Sequence, residues 1–320
     1  MSGGEFDLIA WMRRNSTSSG VVRVGIGDDC AVLAPGLSDG LLVTTDMLMD
    51  GRHFRLGEHD PADVARKALL VNVSDIAAMA GVPLAAFVAV ALPLDAPGGP
   101  ARLGRELHAA LAEAAAEHSI ALAGGDTNAW HGPLVITVTL LGRASPLGPV
   151  LRRGARPGDV VLVTGPLGGS LLGRHLRPTP RVTDAAVIHH AAKHHLHALI
   201  DVSDGLAADL GHILAESGGL GATLDADAIP IHADAVALGA RDGRTPLDHA
   251  LHDGEDFELC LAVDPACLEE LTHPTRSVRV TRIGTIDAEP GLRLRHANGR
   301  VEPIEPRGFD HFREPTGPTP

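Results

Sequence analysis

Aspartate recurs in this chain where a β-prone run meets glycine or a hydroxyl residue. Asp28 and Asp29 follow Gly-Ile-Gly, Asp46 follows Thr44 and Thr45, Asp126 follows Gly124 and Gly125, and Asp201 opens the run Asp-Val-Ser203-Asp204-Gly205. Glycine lets backbone come close to a ligand, and the strand ends of α/β folds open onto the ligand crevice. Carboxylate and hydroxyl oxygens are hard donors that suit magnesium, a cation that bridges protein acids to substrate phosphates. Any one of these aspartates also fits a turn or a helix cap. Their recurrence along one chain points to metal binding.

Asp75 is a separate case. The stretch Lys67 to Ala80 is otherwise a largely apolar helix, and an unpaired carboxylate buried there would cost several kcal/mol. It needs a cation, supplied either by a shared metal or by Lys67, eight residues away along the same helix.

Several familiar chemistries are excluded. There is no G-x-x-x-x-G-K-[ST] loop and no G-x-G-x-x-G running from strand to helix, and the glycine-rich run Gly165 to Ser170 lacks the lysine. The catalytic-loop set of protein kinases is missing as well. A net charge of -13, 2% aromatic residues and no tyrosine argue against a nucleic-acid partner. The three cysteines, Cys30, Cys260 and Cys267, are odd in number and widely spaced, which disfavours zinc, disulfides and redox chemistry. With no signal-like start and no apolar run long enough to span a bilayer, the expectation is a cytoplasmic protein without a membrane partner.

The elements that must position the acids read as α/β throughout. Strands are expected at Val21 to Val24, Leu41 to Thr45, Ala86 to Ala91, Ile120 to Ala123 and Leu134 to Leu141. Asp60-Pro61-Ala62-Asp63 reads as a cap, a first-turn proline and an acid, opening a helix that runs to about Ala80. A second, amphipathic helix covers Gly99 to Glu117. The Pro/Gly-rich stretch Gly142 to Gly158 reads as a linker, with domains at 1–142 and 143–320. Beyond it come strands at Asp159 to Thr164, Ala198 to Val202, Glu258 to Val263 and Val278 to Ile283, and a helix from Leu206 to Ser217. The histidines at 189, 190, 194, 195 and 197 read as a solvated helix face.

Ordered blocks along the whole chain carry a family resemblance: GEFDLIA, GIGDDCAVL, TTDMLMDGRHF, KALLVNVSDIAAMAG, AGGDT, RPGDVVLVTG, HLRPTPR, DVSDGLAADLGHI, DGEDFELC, RIG and GFDHF. The sequence resembles the thiamine-monophosphate kinases. That resemblance implies a two-domain fold like that of aminoimidazole ribonucleotide synthetase. The N-terminal sheet would form a barrel across a homodimer and a C-terminal α/β domain would follow.

It further implies several magnesium ions held by Asp29, Thr44, Thr45, Asp46, Asp75, Asp126, Asp201 and Asp204. ATP would be held by Gly125, Asp126, Arg152 and Ser203, with Arg153 the alternative to its neighbour. Thiamine monophosphate would be received by His53, Glu255 and Phe309. No covalent or general-base residue is implied. Bland roles stand beside these: His53 filling a turn, Glu255 capping, Phe309 plugging a core seam. One departure from the family pattern is the short join between Gly165–Ser170 and His175–Arg181, where a longer helical segment is common. The competing readings are another ATP-dependent enzyme of the superfamily, of the aminoimidazole ribonucleotide or selenophosphate synthetase type, or a catalytically silent nucleotide-binding regulator.

Overall fold

The computed structural model describes residues 22–24, 28–33, 40–273 and 277–309. The GEFDLIA block, Val21, the Gly25-Ile26-Gly27 lead to Asp28 and the last three residues of GFDHF lie outside them.

The first sheet is built from β1 (Val22–Val24), β2 (Ala31–Leu33), β3 (Leu41–Met49), β4 (Val82–Pro93), β5 (Ala121–Trp130) and β6 (Val135–Arg143), in the order β1-β2-β3-β6-β4-β5. Between them lie α1 (Pro61–Ala78) and α2 (Pro100–Glu117). β4 and β5 pair in parallel, so the chain must cross over between them, and α2 is that crossover. Alternation sets the two faces. Leu42, Thr44 and Leu48 of β3 are buried with Ile136, Val138 and Leu140 of β6, beneath α1 and α2. On the other face Met47, Phe87 and Trp130 are exposed.

The second sheet takes β7 (Val160–Val163), β8 (Leu196–Asp201), β9 (Gly221–Asp225), β10 (Leu259–Val263), β11 (Thr281–Asp287), β12 (Gly291–Arg295) and β13 (Val301–Ile304), ordered β13-β12-β9-β11-β7-β10-β8. Its helices are α3 (Val182–Ala192), α4 (Leu206–Glu216), α5 (Ala233–Asp242), α6 (Pro246–His252) and α7 (Leu268–Leu271). β7 and β10 are buried along their whole length, because both faces of this sheet are covered and successive side chains enter different apolar clusters. The mixed α/β class is as the sequence implied.

α1 starts where Asp60 accepts the Ala62 N–H at 2.9 Å with Pro61 in the first turn. Leu69, Val73 and Ile76 fill the core under the first sheet. Ala77, Ala78 and Ala80 pack with Leu162, Leu199 and Leu261 of the second. A helix wedged between two sheets is apolar nearly all round, which is why Lys67 to Ala80 lacks a polar face.

Several expectations change. Asp46 and Asp126 do not end strands. β3 runs on to Met49 because its ladder with β6 is unbroken. β5 passes straight through Gly124-Gly125-Asp126, where a Cβ on Gly125 would lie 1.8 Å from the Val88 carbonyl oxygen. The last expected strand begins at Thr281 rather than Val278. The histidines share no solvated face: His189 is buried in α3, and His197 lies on β8 with its Nδ1 2.9 Å from Asp159. The short Gly165–Arg181 join forms two 3-10 turns, Ser170–Leu172 and Arg174–Leu176. Leu69, wholly buried in α1, tests this packing: Leu69→Ala lowers unfolding free energy in urea by about 2–5 kcal/mol. A loss under ~1 kcal/mol would mean that the helix is not wedged as described.

Candidate functional site

The acids converge at the α1 face of the first sheet. From β3, the Thr44 hydroxyl donates to Asp75 Oδ2 at 2.5 Å, and Asp46 is hydrogen-bonded to the same carboxyl. One residue earlier on α1, Ser74 donates to Asp201 Oδ2 at 2.5 Å, which brings the end of β8 to the helix. Asp29 enters from the β1–β2 turn, and carboxylate oxygens of Asp29, Asp75 and Asp201 lie within 4.8 Å of one another. Asp204, Asp209 and His212 form a second group at the start of α4 with the same spread. There Asp209 Oδ2 accepts the N–H groups of Asp204 and Gly205 at 3.1 and 3.0 Å, fixing the Ser203-Asp204-Gly205 turn.

Charge in the first group is unbalanced. Arg152 grips Asp29 in a two-pronged pair, Nε to Oδ2 at 3.0 Å and Nη2 to Oδ1 at 2.8 Å, while Arg153 is exposed. Burial, followed by repulsion from Asp46, Asp201 and Asp29, drives the Asp75 carboxyl well above the ordinary range. Asp46 and Asp201 are raised too, by burial first and by Asp29 as well. Burial and then Asp29 push Asp28 up to about 7. Cys30 stays a thiol, raised by burial and the surrounding carboxylates. Carboxylates that repel one another at this range, with hydroxyls beside them, have the chemistry of a site for hard divalent cations, which would relieve the charge that Arg152 leaves over.

Lys67 is not the partner of Asp75. Its buried ammonium lies 2.6 Å from Glu255 Oε2, so the second reading of Asp75 is set aside. Glu255 belongs to a different cluster. His53 is buried, its Nδ1 accepting the Met49 N–H at 3.0 Å and its carbonyl accepting from Lys67 at 2.8 Å. Phe309 donates its N–H to the Asp204 carbonyl at 3.0 Å, and Arg52 lies over its ring at 4.7 Å. His53 and Glu255 thus meet at Lys67, and Phe309 reaches the Asp204 turn.

The first sheet's alignment with known proteins begins where the acids begin. Residues 27–144 match the family model described as AIR synthase related protein, N-terminal domain. A thiamine-monophosphate kinase of Rhodopirellula baltica is 42% identical over 316 residues, 96% of this chain and 97% of that one. The chain belongs to the thiamine-monophosphate kinase family. The Salmonella typhimurium member is 39% identical over 347 residues, covering 98% of this chain and 100% of its own. Among solved structures, AaThiL complexed with AMPPCP and TMP superposes with a TM-score of 0.81 at 30% identity, covering 96% of this chain and 97% of that one.

Against the set implied by this family, the fold leaves three residues apart. Thr45 points to the opposite face of β3 from Asp46, its hydroxyl 3.0 Å from that of Thr139. Gly125 and Asp126 sit on the edge strand β5. The ladder Asp46–Val138–Val88–Gly125 is three strand spacings, about 14 Å along the sheet. Asp126 pairs with Ala89, which puts it on the face of Thr45 and Met47. Ser74, Asp209 and His175 were not singled out from sequence. All three lie inside the quoted blocks, Ser74 beside Asp75 and His175 at the head of HLRPTPR; Asp209 reads as an ordinary first-turn acid, and no role for His175 follows from its block.

Acids whose pKa is raised on folding bind more protons folded than unfolded, so stability falls as pH rises between the two values. In divalent-free buffer the melting temperature should fall as pH rises from about 4 to about 7, the Asp28 window. Divalent cation should flatten that slope. A melting temperature that rises through the same window would contradict the repulsion.

Proposed function

We propose that this chain transfers the γ-phosphoryl group of ATP to thiamine monophosphate, giving thiamine diphosphate and ADP. Magnesium ions would be held by Asp29, Thr44, Asp46, Asp75, Asp201 and Asp204. The observation that carries this reading is the convergence of carboxylates from β3, α1, β8 and the β1–β2 turn on one space, in a chain of this family. When bound, the metals supply neutralisation of the phosphate oxygens, and the obstacle to reaction is repulsion between two anions.

The protein's own groups position and orient. Arg152, which grips Asp29 here, and Ser203 would hold the ATP phosphates. His53, Glu255 and Phe309 receive the thiamine end, with the Phe309 ring suited to a heteroaromatic cation. A phosphate oxygen of thiamine monophosphate attacks the γ-phosphorus in line, the bond to the β-phosphate oxygen breaks, and ADP leaves. The acceptor is ionised near neutral pH, so no general base is needed. Cys30 is held protonated and the Ser74 hydroxyl is committed to Asp201, so neither offers a nucleophile for a phosphoenzyme.

The chain leaves the first sheet at Arg143 and enters the second at Val160, which supports a division at 142/143 into an N-terminal metal-binding domain and a C-terminal α/β domain. A homodimer accounts for Thr45, Gly125 and Asp126. The face of Thr45 and Asp126 carries exposed Met47, Phe87 and Trp130, an apolar surface that a second copy would cover, closing the two sheets into a barrel. The edge strand β5 would then deliver Gly125 and Asp126 to the partner's ATP. No helix among the described residues is long and apolar enough to cross a membrane, and the cytoplasm, where ATP is at hand, is the location we assign.

Asp46→Asn or Asp75→Asn should lower kcat by at least ~100-fold with near-normal unfolding, measured as thiamine diphosphate formed from ATP and thiamine monophosphate. ATP turnover by the native protein that thiamine monophosphate does not stimulate would reject the reading. Refolding Asp46→Asn together with Asp126→Asn makes hybrid dimers in which one site is intact if Asp126 acts across the interface, restoring about a quarter of native activity. No recovery would place Asp126 in its own subunit's site or outside both.

A further inference from the structure

Lys67 has an ammonium wholly out of solvent and more acceptors around it than it has protons. It lies 2.9 and 2.6 Å from the two Glu255 oxygens, 2.8 Å from the His53 carbonyl and 3.1 Å from His175 Nδ1. That same Nδ1 is 3.0 Å from Glu255 Oε2. An ammonium has three N–H donors. All groups are satisfied when these go to the His53 carbonyl and both Glu255 oxygens, and His175 gives its Nδ1–H to Glu255. Nothing is then left on Lys67 for a substrate.

Glu255 also sits in an unfavourable backbone conformation, with φ of 53°, and Phe257 shares it. Non-glycine residues hold such angles only where surrounding contacts fix them. Here those contacts are the Glu255 N–H to the Ser203 carbonyl at 2.7 Å and the Lys67 ammonium.

We infer that Lys67 is a positioning residue for the acceptor end: it fixes the His53 loop and the strained Glu255 loop relative to each other from a rigid helix, without touching either substrate. This rests on the reading of His53 and Glu255 as the thiamine monophosphate subsite. It assigns to one buried side chain the alignment of two segments about 200 residues apart in sequence.

The test compares native protein, Lys67→Met, Glu255→Gln and the double variant by steady-state kinetics and by hydrogen exchange of residues 50–54 and 253–257. Lys67→Met should raise KM for thiamine monophosphate at least ~10-fold while KM for ATP stays within ~2-fold. Exchange should rise in both segments at once. The double variant should lose less than the product of the two single losses, since the Lys67–Glu255 contact is shared. Unchanged exchange in either segment, or losses that multiply, would overturn the inference. If exchange rises in both segments but KM for thiamine monophosphate stays native, the subsite reading fails and the clamp stands. Should Lys67→Met not fold, Lys67→Gln, which keeps two N–H donors, carries the same comparison.

Discussion

Mutual repulsion of buried and half-buried carboxylates is the constraint around which this protein is arranged. Asp29, Asp46, Asp75 and Asp201 come from separate segments, and burial and the neighbouring carboxylates make Asp46, Asp75 and Asp201 harder to ionise. Among the described residues one arginine, on one of the four, is the internal countercharge. Folding a chain into such a cluster costs free energy that apolar burial elsewhere must offset, through the core under the first sheet and the two faces of the second. The cost makes sense where the missing positive charge arrives with the substrates, since a cluster already satisfied by protein cations would hold polyphosphate metals weakly.

α1 is the member on which both ends of the site depend. It lies between the sheets, its Ser74 and Asp75 reaching β8 and β3 and its Lys67 reaching the Glu255 loop. Rigid packing on every side gives these groups little freedom, as a site that must align two anions requires. The loop of Gly168 and Gly169 shows a contrast. Its N–H groups are taken by Asp256 and Asp253, so this glycine-rich turn is closed by carboxylates and is no cradle for phosphate.

Much of this was legible in the sequence, and for physical reasons. Asp75 in an apolar helix announced a buried charge needing company, and the Pro61 start and α/β order followed from local signals. Recurrent aspartates beside hydroxyls pointed to a shared oxygen-rich site, and the coordinates gather Asp29, Thr44, Asp46, Asp75 and Asp201. What sequence could not give was sidedness across a sheet. Thr45 and Asp46 are neighbours in the chain yet face opposite ways, a matter of register that only the β3–β6 ladder fixes. Nor could it tell that Lys67 serves Glu255 rather than Asp75, because that choice lies in how a loop nearly two hundred residues later folds back.

The eight-residue interval from Lys67 to Asp75 has a further meaning. Along an α-helix it amounts to about 12 Å and a little over two turns. That interval acts as a gauge block between the acid cluster and the Glu255–His53 clamp, machined in steps of whole residues. Adding or removing one residue would swing one end about 100° around the axis relative to the other. Loops elsewhere in the molecule can lengthen or shorten without such a consequence, whereas this stretch has a single workable length.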